Sequence, residues 1–287
     1  MKKHLLKKAK VNRSHFGNAV VFILVALFGV FMALPFVYAV GNSLKPLNEL
    51  WLFPPRLWPL KPTFENFKSI WGLVQNSSVP MSRYLFNTIF ITVVGTTGQV
   101  FFCSLCAYAL AKHPFPGNKL IFKVIFFSLM FNAAVTQIPT YLLMAKLHWI
   151  DTYYSLIVPA IGSSFGLYLI KQFIEQLNDS ILEAARIDGA GEFRIYSRIV
   201  MPMIKPAWLT LIVFSVQALW NSGTTVYIFR EELKTFSYAI SQIVSGGIAR
   251  AGAASAASVI MMIVPIVVYV ITQSNIIDTM ASSGVKE

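Results

Sequence analysis

The chain has 287 residues, of which 56% are hydrophobic and only 13% charged, against about a quarter charged in soluble domains. That balance excludes an ordinary water-soluble domain and calls for a surface that faces lipid. The net charge of +12 could suggest nucleic acid, but the cations are scattered over segments parted by long apolar stretches, so no basic domain gathers them.

Setting aside every Lys, Arg, Asp and Glu leaves six uncharged windows, each of roughly 19 residues or more, enough to cross about 30 Å of hydrocarbon as helix. The expected fold is an all-α membrane protein with six transmembrane helices near residues 17–41, 84–111, 121–144, 153–174, 206–229 and 253–277. Barrel strands would alternate polar and apolar residues, and these windows do not.

In chain order, residues 1–16 are a basic N-terminus whose Lys2, Lys3, Lys7, Lys8, Lys10 and Arg13 face no acid. Such a bias keeps that end, and after six crossings the C-terminus, in the cytoplasm. A single transmembrane domain, 17–287, follows. Val37-Tyr38-Ala39 could pass for a signal cleavage site, yet the apolar run from Ala19 to Tyr38 exceeds the roughly 7–15 residues of a signal core, so an uncleaved first span is expected. The external stretch Lys45 to Arg83 is rich in proline and in aromatics (Trp51, Phe53, Trp58, Phe64, Phe67, Trp71), which suit a membrane interface or a partner surface. In the second span Cys103 and Cys106 read as small packing residues, with no His or acid close in sequence to complete a metal or redox site. The prolines and glycine of Lys112 to Asn118 make a tight turn into the third span.

The stretch Lys171 to Lys205 breaks the pattern, with five cations and five acids in helix-forming sequence. Asn178-Asp179-Ser180 supplies caps, Ile181 to Asp188 makes a short helix, and Gly189 and Gly191 allow a turn before a second helix ends at Pro202. Beyond it, the fifth span carries Gln217, Trp220, Asn221 and Thr224 at helical spacing, and the third carries Asn132, Thr136 and Gln137 before Pro139. Of these, Asn132, Gln137, Gln217, Trp220, Asn221 and Thr224 are candidates to line a substrate pathway; polar residues in a bundle also serve as interhelical hydrogen-bonding partners, and both roles stay open. Thr235 to Ala249 is too short to span and reads as a loop or interfacial helix.

Within the polar stretch, Glu183-Ala184-Ala185-Arg186-Ile187-Asp188-Gly189 is followed after nine positions by Ile199-Val200-Met201-Pro202. This resembles the EAA loop of permease subunits of bacterial ATP-binding cassette importers, with Met201 where the family has Leu. Ala107 to Lys112 with Phe115-Pro116-Gly117, the form Ala185 to Ala190, and the pair Trp220-Asn221 are similar to carbohydrate importer permeases of the maltose type; the tail Ser283 to Glu287 is similar to oligosaccharide permeases. The resemblance implies a type I importer permease with a cytoplasmic coupling helix in the loop 178–205. Glu183, Ala184, Ala185, Arg186, Asp188, Gly189, Ile199 and Pro202 would then couple to the ATPase. Slim alanines suit a groove, Gly189 permits the turn, and Glu183 and Arg186 are spaced to pair. It further implies a second homologous permease, two ATP-binding subunits that hold ATP-Mg, an extracellular solute-binding protein and a sugar, which the resemblance of the tail makes an oligosaccharide.

No GxxxxGK[ST] loop is present, so no cofactor is expected on this chain and no enzyme activity. An importer of amino acids or peptides is one alternative. A self-sufficient secondary transporter is another, but it calls for internal repeats and intramembrane charges.

Overall fold

The computed structural model of the chain describes residues 15–75, 79–222 and 226–283. Its elements begin α1 (His15–Ser43), α2 (Leu47–Leu50), α3 (Glu65–Gln75), α4 (Met81–Lys112), α5 (Asn118–Ser128), α6 (Ala133–Lys146), α7 (Tyr154–Ile161) and α8 (Ser164–Glu175). Then come α9 (Asp179–Ile187), α10 (Glu192–Ile195), a π-helical stretch Tyr196–Val200, α11 (Met201–Met203), α12 (Lys205–Trp220), α13 (Phe236–Val244) and α14 (Ala251–Ser283). No strand occurs among the described residues.

Among the described residues, four segments are long and apolar enough to cross a membrane, Phe16–Ser43, Met81–Lys112, Tyr154–Glu175 and Ala251–Gln273, and the bent pair Glu192–Met203 and Lys205–Trp220 makes a fifth if it counts as one span. α1 is apolar all round and exposed along nearly its whole length, as befits a helix whose solvent is lipid.

Two expected spans are built differently. The stretch 121–144, expected as one continuous helix, is divided between α5 and α6. Asn132 takes an extended backbone, and its side chain accepts from Ala134 N at 2.9 Å, starting a new helix. In the expected fifth span 206–229 the described helix is α12, which ends at Trp220. Before it the chain bends by 78° between Glu192–Met203 and Lys205–Trp220. Pro202 and Pro206 lack the N–H groups that would carry a straight helix through this region, and the π-helical stretch takes up the misfit.

α4 packs against α7, α8, α12 and α13. A methyl group on Gly95 would lie 2.7 Å from Leu219 Cδ1, and one on Gly166 would lie 2.9 Å from Leu211 Cδ1. Glycine thus lets α12 approach both α4 and α8, which matters where lipid supplies no hydrophobic push between helices. The polar residues Asn87, Thr88, Thr92, Thr96 and Gln99 of α4 point inward and are buried. Thr96 shares a 2.9 Å hydrogen bond with Ser215 of α12. Asn87 Nδ2 donates to the carbonyls of Glu232 and Lys234 at 2.8 Å, and its Oδ1 accepts from Tyr153 at 2.7 Å. The stretch 235–249, expected as a loop or interfacial helix, contains α13, which buries Phe236, Ile240 and Ile243 against α3, α4 and α14.

Candidate functional site

The polar loop sits at the C-terminal end of α4. Asn178 caps α9 by accepting from Ser180 N at 3.1 Å, and Asp179 occupies the first turn, where a carboxylate suits the helix dipole. Leu182 and Ala185, 1% and 9% exposed, face the bundle. Glu183, Ala184, Arg186, Ile187 and Asp188 face outward. The two alanines of the motif therefore do different work: one closes the packing, the other keeps the outer face low. The helix ends in paired capping bonds, Gly189 N to Arg186 O and Ala190 N to Ala185 O, both 3.0 Å. Gly189 takes φ +78, a left-handed conformation that a Cβ disfavours.

Glu192, at the start of α10, holds the loop's two arms together. Its Oε1 accepts from Arg186 Nε at 2.8 Å, its Oε2 accepts from Tyr108 Oη at 2.7 Å, and His113 Nε2 lies 3.3 Å from Oε2. The Arg186 guanidinium first, and the Tyr108 hydroxyl second, hold the Glu192 carboxyl down at about 2. Reciprocally, Glu192 raises the pKa of Arg186. The expected Glu183–Arg186 pair is thus corrected: the Gly189–Gly191 turn brings Glu192 back over α9, and Arg186 pairs with it instead. Further bonds tie the loop to α4. Lys112 Nζ donates to Leu177 O at 2.7 Å and Asp179 Oδ1 at 2.6 Å, and Ser104 Oγ meets Tyr196 Oη at 2.7 Å.

The rear of the motif is a bend. Ile199 packs against the buried cluster that includes Ile195, Val200 and Ile204, while Pro202 is exposed within α11, just before the 78° bend. Outward, the loop presents Ile187, 86% exposed, and Phe193, 68% exposed, and Ile181 at the start of α9 is exposed as well. Reading the sequence missed Tyr108, Ile187, Glu192 and Phe193 as site residues. A signal for Ile187 existed, since it is a large apolar residue set between Arg186 and Asp188 in a helix whose inner face is already filled by Leu182 and Ala185.

The pathway candidates divide. Gln217 and Asn221 line one cleft of about 360 Å³ with Phe36, Met261, Pro265 and Tyr269. Trp220 turns away from it, 4% exposed, and donates from Nε1 to Met261 O at 3.1 Å. That bond holds α12 against α14, and Trp220 is not among the residues that line this cleft. Asn132 is the cap of α6 and, like Gln137, is exposed and outside that cleft. Thr224 lies outside the described residues.

Residues 18–281 match the family described as "Binding-protein-dependent transport system inner membrane component". Protein LplC of Bacillus subtilis (strain 168) is 35% identical over 193 residues, covering 67% of this chain and 63% of LplC, less than two thirds of that protein. The polygalacturonan/rhamnogalacturonan transport system permease protein YtcP of the same organism is 28% identical, covering 71% of this chain and 68% of YtcP. The sn-glycerol-3-phosphate transport system permease protein UgpE of Yersinia pestis is 31% identical, covering 88% of this chain and 89% of UgpE. The fold is similar to a solved bacterial ABC transporter involved in the import of the acidic polysaccharide alginate, with a TM-score of 0.75 at 24% identity over 91% of this chain and 98% of that one. A bundle of apolar helices with a protruding, charge-locked loop at one end, matched over almost its full length, places this chain in the family of inner-membrane components of binding-protein-dependent transport systems.

Proposed function

We propose that the chain is one of two related permease subunits of an ATP-driven importer that moves a sugar, an oligosaccharide in particular, delivered by an extracellular solute-binding protein. Six crossings of the bacterial inner membrane leave both termini and the loop 178–205 in the cytoplasm. There the loop docks on one of two ATPase subunits, which bind ATP-Mg and drive the cycle. The observation that carries this reading is the exposure of Ile187 and Phe193 on a stalk that Glu192 locks to α4. Large apolar side chains in that position call for a partner groove, and the rigid attachment lets motion of the partner reach the spans.

Sugar as cargo is supported by the polysaccharide named for YtcP and by the cleft of Gln217 and Asn221, which combines amide groups with the ring of Tyr269. UgpE is named for a polyol phosphate, so the cargo panel should include one.

The test is co-purification of the chain with the ATPase subunits of its own cell. Ile187→Asp with Phe193→Asp should abolish it while the chain remains folded in the membrane, and Glu183 and Gly189 replaced together by bulky residues should do the same. Undiminished ATPase binding in both variants would refute the docking assignment. Cargo is read separately, by binding of a glycan panel and glycerol phosphate to the partner binding protein.

A further inference from the structure

The segment that follows α1 is built inside out. Lys45 is 2% exposed; its Nζ donates to Asn42 Oδ1 at 2.7 Å and to the Arg56 carbonyl. Glu49 is buried as well, and its Oε1 accepts from Leu60 N at 2.6 Å. Asn66 Nδ2, also buried, donates to Ser43 O at 2.8 Å and Lys45 O at 2.7 Å. Thr63 N donates to Leu44 O at 2.8 Å. The polar groups thus form a satisfied interior that fixes the segment's shape. Its outside is Trp51, Phe53, Trp58, Leu60 and Phe64, all exposed, with Phe53 at 93%. A lobe in water would be arranged the other way, because each large apolar side chain removed from water contributes roughly 1.5–3 kcal/mol and a buried ammonium or carboxylate must be compensated.

The medium that suits this surface is the headgroup layer of the bilayer. A methyl group on Gly41 would lie 2.1 Å from Leu57 O, so residues 57 and 58 run beside the last turn of α1. The aromatic patch therefore continues the exposed apolar flank of α1, itself apolar all round. Trp combines an apolar ring with an N–H that favours the wet boundary of the membrane. Arg56 and Lys61 are exposed among these rings, complementary to anionic phosphate. We infer that residues 51–64 are an interfacial anchor that seats this end of α1 among phospholipid headgroups. The inference needs α1 in the bilayer but is independent of the cargo and of the ATPase.

The experiment reconstitutes the full chain in phosphatidylethanolamine–phosphatidylglycerol vesicles carrying lipids brominated near the headgroup or deep in the acyl chains. Emission is compared between the natural chain and Trp51→Phe with Trp58→Phe, which keeps rings at both positions. The emission lost in the variant should be the part quenched by shallow bromines and protected from aqueous acrylamide, and Phe53→Glu should restore acrylamide access. ATPase co-purification should stay unchanged in both variants, separating this result from the docking reading. Emission that acrylamide quenches freely, that only deep bromines quench, or that becomes protected only on adding the solute-binding protein would overturn the assignment.

Discussion

Replacing Glu192 by Gln should loosen the protruding loop and leave the bundle intact. The carboxylate titrates at about 2 in the folded chain against 4.5 unperturbed, which would amount to roughly 3 kcal/mol if felt in full. Its side chain is 47% exposed and that of Arg186 38%, so solvent screening brings the ionic part to about 1 kcal/mol. A folded pKa below the unfolded one means that this stability is complete above pH 4.5 and drains away as pH falls from 4.5 toward 2. At neutral pH the clasp is therefore fully charged, and a Gln variant of the same shape isolates the charge. Amide exchange at Asp188, Gly189 and Ala190 should accelerate about fivefold at neutral pH, while amides of α12 keep their protection. Unchanged exchange at these three positions, or equal acceleration through α12, would refute the view of Glu192 as a local clasp.

Gly189→Ala should destabilise the loop by about 1–2 kcal/mol through its left-handed backbone alone, because the added methyl meets no atom within 4 Å; Gly189→Asn should cost less, and both are read by ATPase co-purification and thermal melting. Gly41→Ala drives a methyl into the Leu57 carbonyl and should lower the melting temperature by an overpacking cost of about 1–3 kcal/mol. Trp220→Phe removes the donor to Met261 O and should cost about 1 kcal/mol without changing cargo preference. Asn221→Ala should alter uptake affinity, with a small fall in melting temperature from loss of the exposed bond to Gln217 O.

The helical class and the motif were readable because both depend on local pattern: uncharged length for the spans, fixed spacing for Glu183 to Pro202. What escaped depends on partners far apart in sequence. Arg186 had an acid three residues earlier and chose another six residues later, because the turn at Gly189 and Gly191 brings Glu192 within reach together with Tyr108 from α4. Trp220 looked like pathway because its stripe holds Gln217 and Asn221, yet one helical position was enough to aim its ring at α14. The division of the third expected span follows from Asn132, a polar residue that could equally have lined a path; only its extended backbone and bond to Ala134 N distinguish a cap from a wall residue.

Besides its chain junction with α8, the loop is attached to the bundle twice, and these two attachments converge. One is polar and runs to α4 through Ser104, Tyr108 and Lys112. The other is covalent and runs through the π-helical stretch and the 78° bend into α12. α4 and α12 are themselves joined by Thr96 to Ser215 and by the close approach at Gly95. A push on Ile187 and Phe193 would therefore move α4 and α12 together. α12 has 16 residues, about 24 Å of helix at 1.5 Å per residue, and it starts at the bend and ends against Asn221 in the cleft. Nothing softer than a helix stands between the two, so cutting the polar attachment while sparing the covalent one should weaken coupling of ATP hydrolysis to transport more than it weakens docking. Ser104→Ala, Tyr108→Phe and Lys112→Met, combined with Glu192→Gln, make that cut, and the ratio of ATP hydrolysed to cargo imported is the quantity that should rise.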